Sequence, residues 1–224
     1  MPGKPRVIVF LGPSLLLDEA EKILSLGDEV EFRPPAKRGD LFKAAEDGAD
    51  VICLIDGVFF QDCSVAHKEI LYALDHGAKV IGASSMGALR ASEMDVYGME
   101  GVGEVYHAYK NGVLESDDEV ALTFDPYTFT PRSEPLVNVR YSLTLAVEQE
   151  ILSQETANAV LKSAQSLYFP ERIYDRILKA AEINGAPSES LDEFKSFLKD
   201  GEWDLKGEDA RKALRRVREA LETG

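Results

Sequence analysis

Five apolar residues run directly into a turn in VIVFLGPS, residues 7–14. Such a run is typical of a strand covered on both faces, and the Gly-Pro-Ser after it breaks the strand. Comparable strand-like runs occur at 29–33, 51–55 and 79–83, each followed by a turn and a helix-like segment. Short strand-then-helix units predict a parallel sheet, because right-handed crossovers place the helices on its faces. The sequence therefore predicts a doubly wound, mostly parallel α/β fold.

The pattern becomes helical after residue 132. Ser133 and Ser153 each precede a helix-like run, as N-cap residues do, and residues 208–221 form a last, highly charged helix. We therefore predict an α/β core over residues 1–132 and a C-terminal helical extension over residues 133–224.

Composition excludes several classes of function. The formal net charge of −15 opposes binding to a phosphate backbone, so nucleic acid is not an expected partner. No apolar run approaches the roughly 20 residues that a membrane span needs, and the N-terminal residues lack the apolar core of a signal peptide. Cys53 and Cys63 have neither CxxC nor zinc-ligand spacing. We expect a cytoplasmic protein with no membrane partner.

The predicted topology gathers four connections at one edge of the sheet. The carboxyl ends of parallel strands lie at the same edge, which is where open α/β sheets bind ligands. Residues 12–14, 34–40, 56–57 and 84–87 follow the four strands and should converge there. The chain lacks GxGxxG and GxxxxGK[ST], so a dinucleotide or P-loop nucleotide site is not expected, and we predict no cofactor.

Two adjacent serines stand where the fourth strand passes into a helix. Ala83-Ser84-Ser85-Met86-Gly87 has the small-x-Ser-x-small form of a nucleophile elbow, which exposes a hydroxyl beside backbone N–H groups that stabilise an oxyanion. The alternative is that Ser84 or Ser85 only caps the helix. A one-residue uncertainty in the strand end leaves the choice between the two serines open.

His67 is the candidate general base. It falls in the first turn of a predicted helix, where the positive end of the helix dipole disfavours imidazolium. A general base needs the neutral imidazole. Asp56, at the neighbouring strand end, is a candidate to orient that ring, although an aspartate before Gly57 is at least as often a turn residue.

Substrate groups have several candidate partners at this edge. Backbone N–H groups around Gly12-Pro13-Ser14 suit an anionic or oxyanionic group. The cations able to reach the edge are Lys37, Arg38, Lys68 and Arg90, the last of which also has Glu93 three residues on. Acidic residues at 117–119 suit a hard metal, but an exposed acidic turn is commoner, so no metal is predicted.

Six motifs in order resemble the TfuA-like family. They are FLGPS at 10–14, PPAKRGD at 34–40, IDG at 55–57, HKEIL at 67–71, SSMGALRA at 84–91 and DDEVA at 117–121. SEPLVNVR at 133–140 extends the resemblance into the first long helix. Their order and spacing over residues 10 to about 140 make the resemblance specific, and the chain resembles the archaeal group linked to thioglycine in methyl-coenzyme M reductase.

The resemblance implies a role in peptide backbone thioamidation. Family members partner YcaO enzymes and are understood to supply sulfide by hydrolysing the C-terminal thiocarboxylate of a ThiS-like carrier. A non-catalytic adaptor that binds and activates YcaO is the alternative.

Residues and resemblance agree on attack at an acyl carbon with sulfide as the leaving group. Ser85, or Ser84, is the expected nucleophile, with His67 as base and Asp56 as orienter; water activated by His67 is an equally permissible attacking group. A persulfide relay through Cys63 is the least favoured route. The expected substrate-binding set is Gly12, Pro13, Ser14, Lys37, Arg38, Asp40, Lys68, Met86, Gly87 and Arg90.

Overall fold

The computed structural model describes residues 5–24, 29–59, 63–200 and 203–222. It contains a five-stranded, all-parallel sheet in the order β2-β1-β3-β4-β5. The strands are β1 Val7–Phe10, β2 Val30–Arg33, β3 Val51–Leu54, β4 Lys79–Ala83 and β5 Glu100–Val102. The doubly wound, parallel α/β fold predicted from the sequence is confirmed. The fifth strand was not predicted.

Ten α-helices alternate with or follow the strands in the described part of the chain. Within the α/β region they are α1 Leu17–Ile23, α2 Asp40–Glu46, α3 His67–Asp75, α4 Met86–Met94 and α5 Glu104–Lys110. Five more follow: α6 Leu136–Glu148, α7 Gln154–Ser166, α8 Tyr174–Ile183, α9 Ser188–Asp200 and α10 Leu205–Glu222. Among the described helices, none has both the length and the apolar character of a membrane span.

Strand side chains alternate between two separate cores. Ile8, Phe10, Ile52 and Leu54 belong to the core that contains buried residues of α2, α3 and α4. Val7, Val9, Val51 and Cys53 belong to a second core, completed by α1 and α10. β1 and β3 are therefore buried on both faces under helices, which explains why these two strands read as continuous apolar runs.

The last helix is part of the sheet domain. Residue contacts divide the chain into one unit of Met1–Asp117 with Lys206–Gly224 and a second of Asp118–Leu205. This differs from the division expected at residues 132 and 133. The reason lies in α10, which buries Ala210, Ala213, Leu214 and Val217 in one core of the sheet. Their i, i+3, i+4, i+7 spacing is that of an amphipathic helix.

The second unit holds a buried arginine. The Arg172 side chain has no exposed surface, and its guanidinium donates to the Asp118 carboxylate and to the backbone oxygens of Ala164 and Leu167. A buried charge is tolerated when it is paired and hydrogen-bonded in this way. Helices α6 to α9 enclose the apolar core of this unit.

Candidate functional site

The sheet order places a crevice after β1 and β3. The chain crosses from β1 to β2 on one side and returns to β3 on the other, and ligands bind at such a reversal in open α/β sheets. Asp56 follows β3 at this point and is buried. Its Oδ2 accepts the N–H groups of Gly12 (2.9 Å) and Ser14 (3.0 Å), and its Oδ1 accepts the Ser14 hydroxyl (2.7 Å). The carboxylate therefore ties the two loops together.

These bonds correct two expectations drawn from the sequence. Asp56 does not orient His67, because its described bonds go to the loop after β1 and the His67 ring bonds elsewhere. Nor are the N–H groups of Gly12 and Ser14 available as oxyanion donors, since both point at Asp56. Pro13 between them has no N–H to offer. The loop 12–14 is held by the protein itself.

His67 instead pairs with a residue of α4. Its Nε2 lies 2.8 Å from Glu93 Oε2, and Arg90 Nη1 lies 2.7 Å from the same oxygen. Arg90 Nε also donates to the backbone oxygen of Val65, just before α3, at 2.8 Å. Arg90, expected as an anchor for the substrate anion, is largely engaged within the protein. The His67 side chain is 52% exposed and is the accessible base of the site.

The serine pair lies in a tight turn between β4 and α4. Ser84 has φ +66°, and the N–H of Ser85 donates to the oxygen of Ala83 at 2.7 Å, closing a γ-turn around Ser84. The strand-to-helix corner is thus strained at Ser84, one residue before Ser85, the centre of the elbow pattern. Ser85 is the N-cap of α4, yet its side chain makes no capping hydrogen bond. Ser85 therefore occupies the N-cap position, as the capping alternative expects, but its hydroxyl does not cap the helix.

Both serine side chains are buried. Ser84 is 0% and Ser85 2% exposed, and Ser84 Oγ has no hydrogen-bond partner among the described residues. Within the same part of the chain, neither hydroxyl bonds to His67. The structure therefore does not assemble an Asp56–His67–Ser85 triad, whereas it does leave His67 open to water.

A cavity of about 590 Å³ opens beside this arrangement. Its apolar wall is formed by Phe59, Met86 and Leu89, and its polar wall includes Arg90 and Glu93. Ser64, Glu115, Ser116 and Asp117 complete the lining. Neither His67 nor the serine pair lines the cavity, but Glu93, which pairs with His67, and Met86, which follows Ser85, do.

The remaining binding candidates lie in the loop after β2 and in the first turns of α2, α3 and α4. Lys37, Arg38 and Lys68 are exposed, and Arg38 N–H donates to the oxygen of Cys63, joining the loop after β2 to that before α3. The Asp40 carboxylate accepts the N–H of Lys37 (2.8 Å) and so shapes its own turn. Gly87, in the first turn of α4, donates its N–H to the oxygen of Ile55.

The acidic motif at 117–119 does not gather ligands for a metal. Asp118 pairs with Arg172, and Glu119 makes a two-bonded pair with Arg140 at 2.7 and 2.9 Å. Two of the three carboxylates are thus committed to guanidinium groups.

Cys53, the buried thiol of β3, has its pKa raised to about 12 by burial, which keeps it protonated and unreactive.

A comparison with protein families matches residues 56–173 to the family described as TfuA-like protein. This segment is more than half of the chain. The chain belongs to the TfuA-like family. Membership indicates a role related to thioamidation and sulfur transfer. The family is known in general terms as a partner of YcaO-type proteins. A comparison with curated proteins finds no match. The matched segment of this TfuA-like chain contains Asp56, His67, both serines, Arg90 and Glu93.

A second polar cluster of the TfuA-like chain lies in the unit 118–205. Burial, together with the nearby Asp204 carboxylate, raises the pKa of Glu134 to about 7. Asn138 donates to Asp204 at 2.8 Å, and the Tyr174 hydroxyl lies 3.0 Å from Ser142 Oγ. Burial and the charge of Glu134 also raise the pKa of Tyr174. The motif at 133–140 therefore contributes a titratable group near neutral pH.

This cluster predicts a stability that falls as pH rises. The pKa of Glu134 is 4.5 when unperturbed and about 7 in the fold, so between these values the folded state binds a proton that the unfolded chain lacks. We expect this group to lower the free energy of unfolding by up to about 3 kcal/mol between pH 4.5 and pH 7. Glu134→Gln removes that loss, so thermal melts should show a larger stabilisation at pH 8 than at pH 5. Equal effects at both pH values, or the same effect in the exposed control Glu148→Gln, would contradict it.

Proposed function

We propose that this protein supplies sulfide for YcaO-dependent peptide backbone thioamidation by hydrolysing the C-terminal thiocarboxylate of a ThiS-like carrier. Two findings support the proposal. The chain belongs to the TfuA-like family, and its sheet edge presents an exposed histidine, paired with a carboxylate, beside a cavity. The exposed His67–Glu93 pair is the observation that carries the reaction type, because it provides a base where a substrate has room.

The reaction needs one water molecule and one base. Water attacks the carbonyl carbon of the thiocarboxylate and gives a proton to the base, the carbon–sulfur bond breaks, and the base passes that proton to the departing sulfur. The products are the carrier carboxylate and hydrogen sulfide, so atoms and electrons balance without an oxidant or reductant. With Nε2–H of His67 directed at Glu93, the lone pair at Nδ1 accepts the proton from water.

Burial favours attack by water over attack by a serine. Ser84 and Ser85 have almost no exposed surface, and a substrate reaches either hydroxyl only after the cover around the turn moves. Charge on the carbonyl oxygen develops during attack by either nucleophile and needs a donor. The N–H of Met86, in the first turn of α4, has no partner among the described residues, but Met86 is as buried as the serines and can donate to the substrate only after the same cover moves.

The proposal is tested by measuring sulfide released from a thiocarboxylated ThiS-like carrier. We expect release by the wild type and a rate at least about a hundredfold lower in His67→Ala, the scale of losing a general base. His76→Ala is the matched control, because His76 lies at the other end of α3, stacked on Tyr72 with its ring centroid 3.8 Å away. That variant should retain the wild-type rate.

Two further variants separate the forms of the mechanism. If water attacks directly, the rate of sulfide release in Ser84→Ala and Ser85→Ala should stay within about tenfold of the wild-type rate. If one of the serines is the nucleophile, its alanine variant should lose as much of the rate as His67→Ala does. A wild-type protein that binds YcaO but releases no sulfide from the carrier would overturn the hydrolase and leave the adaptor function.

A further inference from the structure

Three side chains connect the start of α3 to the middle of α4. Arg90 donates through Nε to the oxygen of Val65 at 2.8 Å and through Nη1 to Glu93 Oε2 at 2.7 Å. The same Glu93 oxygen lies 2.8 Å from Nε2 of His67. The two ends of this chain of bonds are Val65, just before α3, and His67, the first residue of α3. The Glu93 carboxylate is thereby held by two partners, one of them a guanidinium with only 12% of its side chain exposed.

We infer that Glu93 is the positioning residue of His67, fixing the ring in the tautomer that carries its proton on Nε2. A carboxylate is an acceptor, so the nitrogen facing it must carry the proton, and the other nitrogen then holds a lone pair. Arg90 in turn holds Glu93 in one orientation. This is the role that an aspartate plays beside the histidine of a hydrolytic triad, filled here by a residue of the following helix.

The surroundings leave Glu93 as the carboxylate that acts on the ring. On α3 itself, Lys68 is exposed beside His67, and Glu69 is committed to the backbone N–H groups of Gly39, Leu41 and Ala66. On α4 the charged groups are Arg90 and Glu93. Glu115 and Asp117 line the same cavity but make no ion pair with the ring in the described part of the chain.

The use of this tautomer in catalysis rests on the proposed sulfide-releasing reaction, whereas the tautomer itself does not. An Nε2–H ring directs a basic Nδ1 away from Glu93, toward a proton donor such as the attacking water. An Nδ1–H ring would point the lone pair of Nε2 at the Glu93 carboxylate, with no hydrogen bond between the two and no basic nitrogen facing water. Removing the carboxylate is therefore expected to lower kcat while leaving KM within about twofold, because no binding contact is assigned to Glu93.

The direct test reads the tautomer in the resting protein. Nitrogen-15 NMR of the imidazole distinguishes the two tautomers at pH 8, where we expect the Nε2–H form in the wild type. Glu93→Leu removes the acceptor and should give a mixture of both forms, whereas Glu93→Gln keeps an acceptor oxygen and should retain part of the preference. An Nδ1–H ring in the wild type, or an unchanged ring in Glu93→Leu, would overturn the inference.

The kinetic test uses the same variants. We expect Glu93→Leu to lose at least about tenfold in kcat for sulfide release and Glu93→Gln to lose less. Asp95→Asn is the control, since it breaks another ion pair at the end of α4, that with Lys110, away from His67. It should change neither the tautomer nor kcat. A further outcome is that the wild type shows the Nε2–H tautomer, and Glu93→Leu loses it, while the wild type releases no sulfide. That result would support the positioning role and refute the proposed reaction, so the two failures are distinguishable.

Discussion

Replacing Asp56 with Ala is expected to lower the free energy of unfolding by about 4 kcal/mol and the melting temperature by about 10 °C. The carboxylate is buried and accepts three hydrogen bonds, two from the N–H groups of Gly12 and Ser14 and one from the Ser14 hydroxyl. Alanine leaves these three donors without partners in a dry position, and each buried donor left unsatisfied costs about 1–3 kcal/mol.

Asp56→Asn provides the matched comparison. An asparagine oxygen still accepts the two N–H groups, and its amide donates to the Ser14 hydroxyl, which accepts equally well. The loss should then be about 1–2 kcal/mol, the difference between charged and neutral acceptors. Thermal or urea unfolding measures both variants beside the exposed control Asp75→Ala. An Asp56→Ala protein that melts like the wild type yet releases no sulfide would restore a catalytic role to Asp56.

The contrast between Asp56 and Glu93 shows which part of the site a sequence contains. Asp56 was correctly placed at the end of β3, because apolar runs locate strand ends. Its bonding partner was not, because the partner loop is 42–44 residues earlier and the choice between it and His67 depends on side-chain reach. Glu93 was visible only as the i+3 neighbour of Arg90. Its contact with His67 spans 26 residues and has no sequence signal.

The fold was predictable to the extent that burial leaves a pattern. β1, β3 and most of β4 are short apolar runs flanked by turns, whereas β2 alternates apolar and charged residues; the predicted ranges of all four agree with the structure within a residue or two. β5 is Glu-Gly-Val, which has no strand signal of its own; it pairs with β4, and Glu100 forms ion pairs with Lys79 and Arg216. The amphipathic spacing of α10 was readable, but the surface that it covers was not, so the predicted division at residues 132 and 133 differs from the one that residue contacts give.

Gly87 shows how closely the fold constrains the elbow, and Gly87→Ala is expected to be the most damaging Gly→Ala substitution among the described glycines. A Cβ at this position would lie 1.7 Å from the backbone oxygen of Leu54 and 2.7 Å from its carbonyl carbon. Leu54 cannot retreat, because its strand is paired on both sides, with Phe10 and with Gly82. Glycine is what allows α4 to begin directly against the sheet.

The expected cost of Gly87→Ala is at least about 4 kcal/mol, beyond the usual range for overpacking because backbone meets backbone. The sign is itself diagnostic, since Gly→Ala inside an ordinary helix stabilises by about 1 kcal/mol. Gly112→Ala is the control: its φ of +69° imposes strain, but a Cβ there meets nothing within 4 Å, so only about 1 kcal/mol should be lost. Soluble yield and thermal melting measure both. A Gly87→Ala protein as soluble and stable as the wild type would mean that α4 does not approach β3 as described. The turn at Ser84 and Ser85 and the wall of the cavity at Met86 would then lose the contact that fixes them, because all three are positioned by this approach.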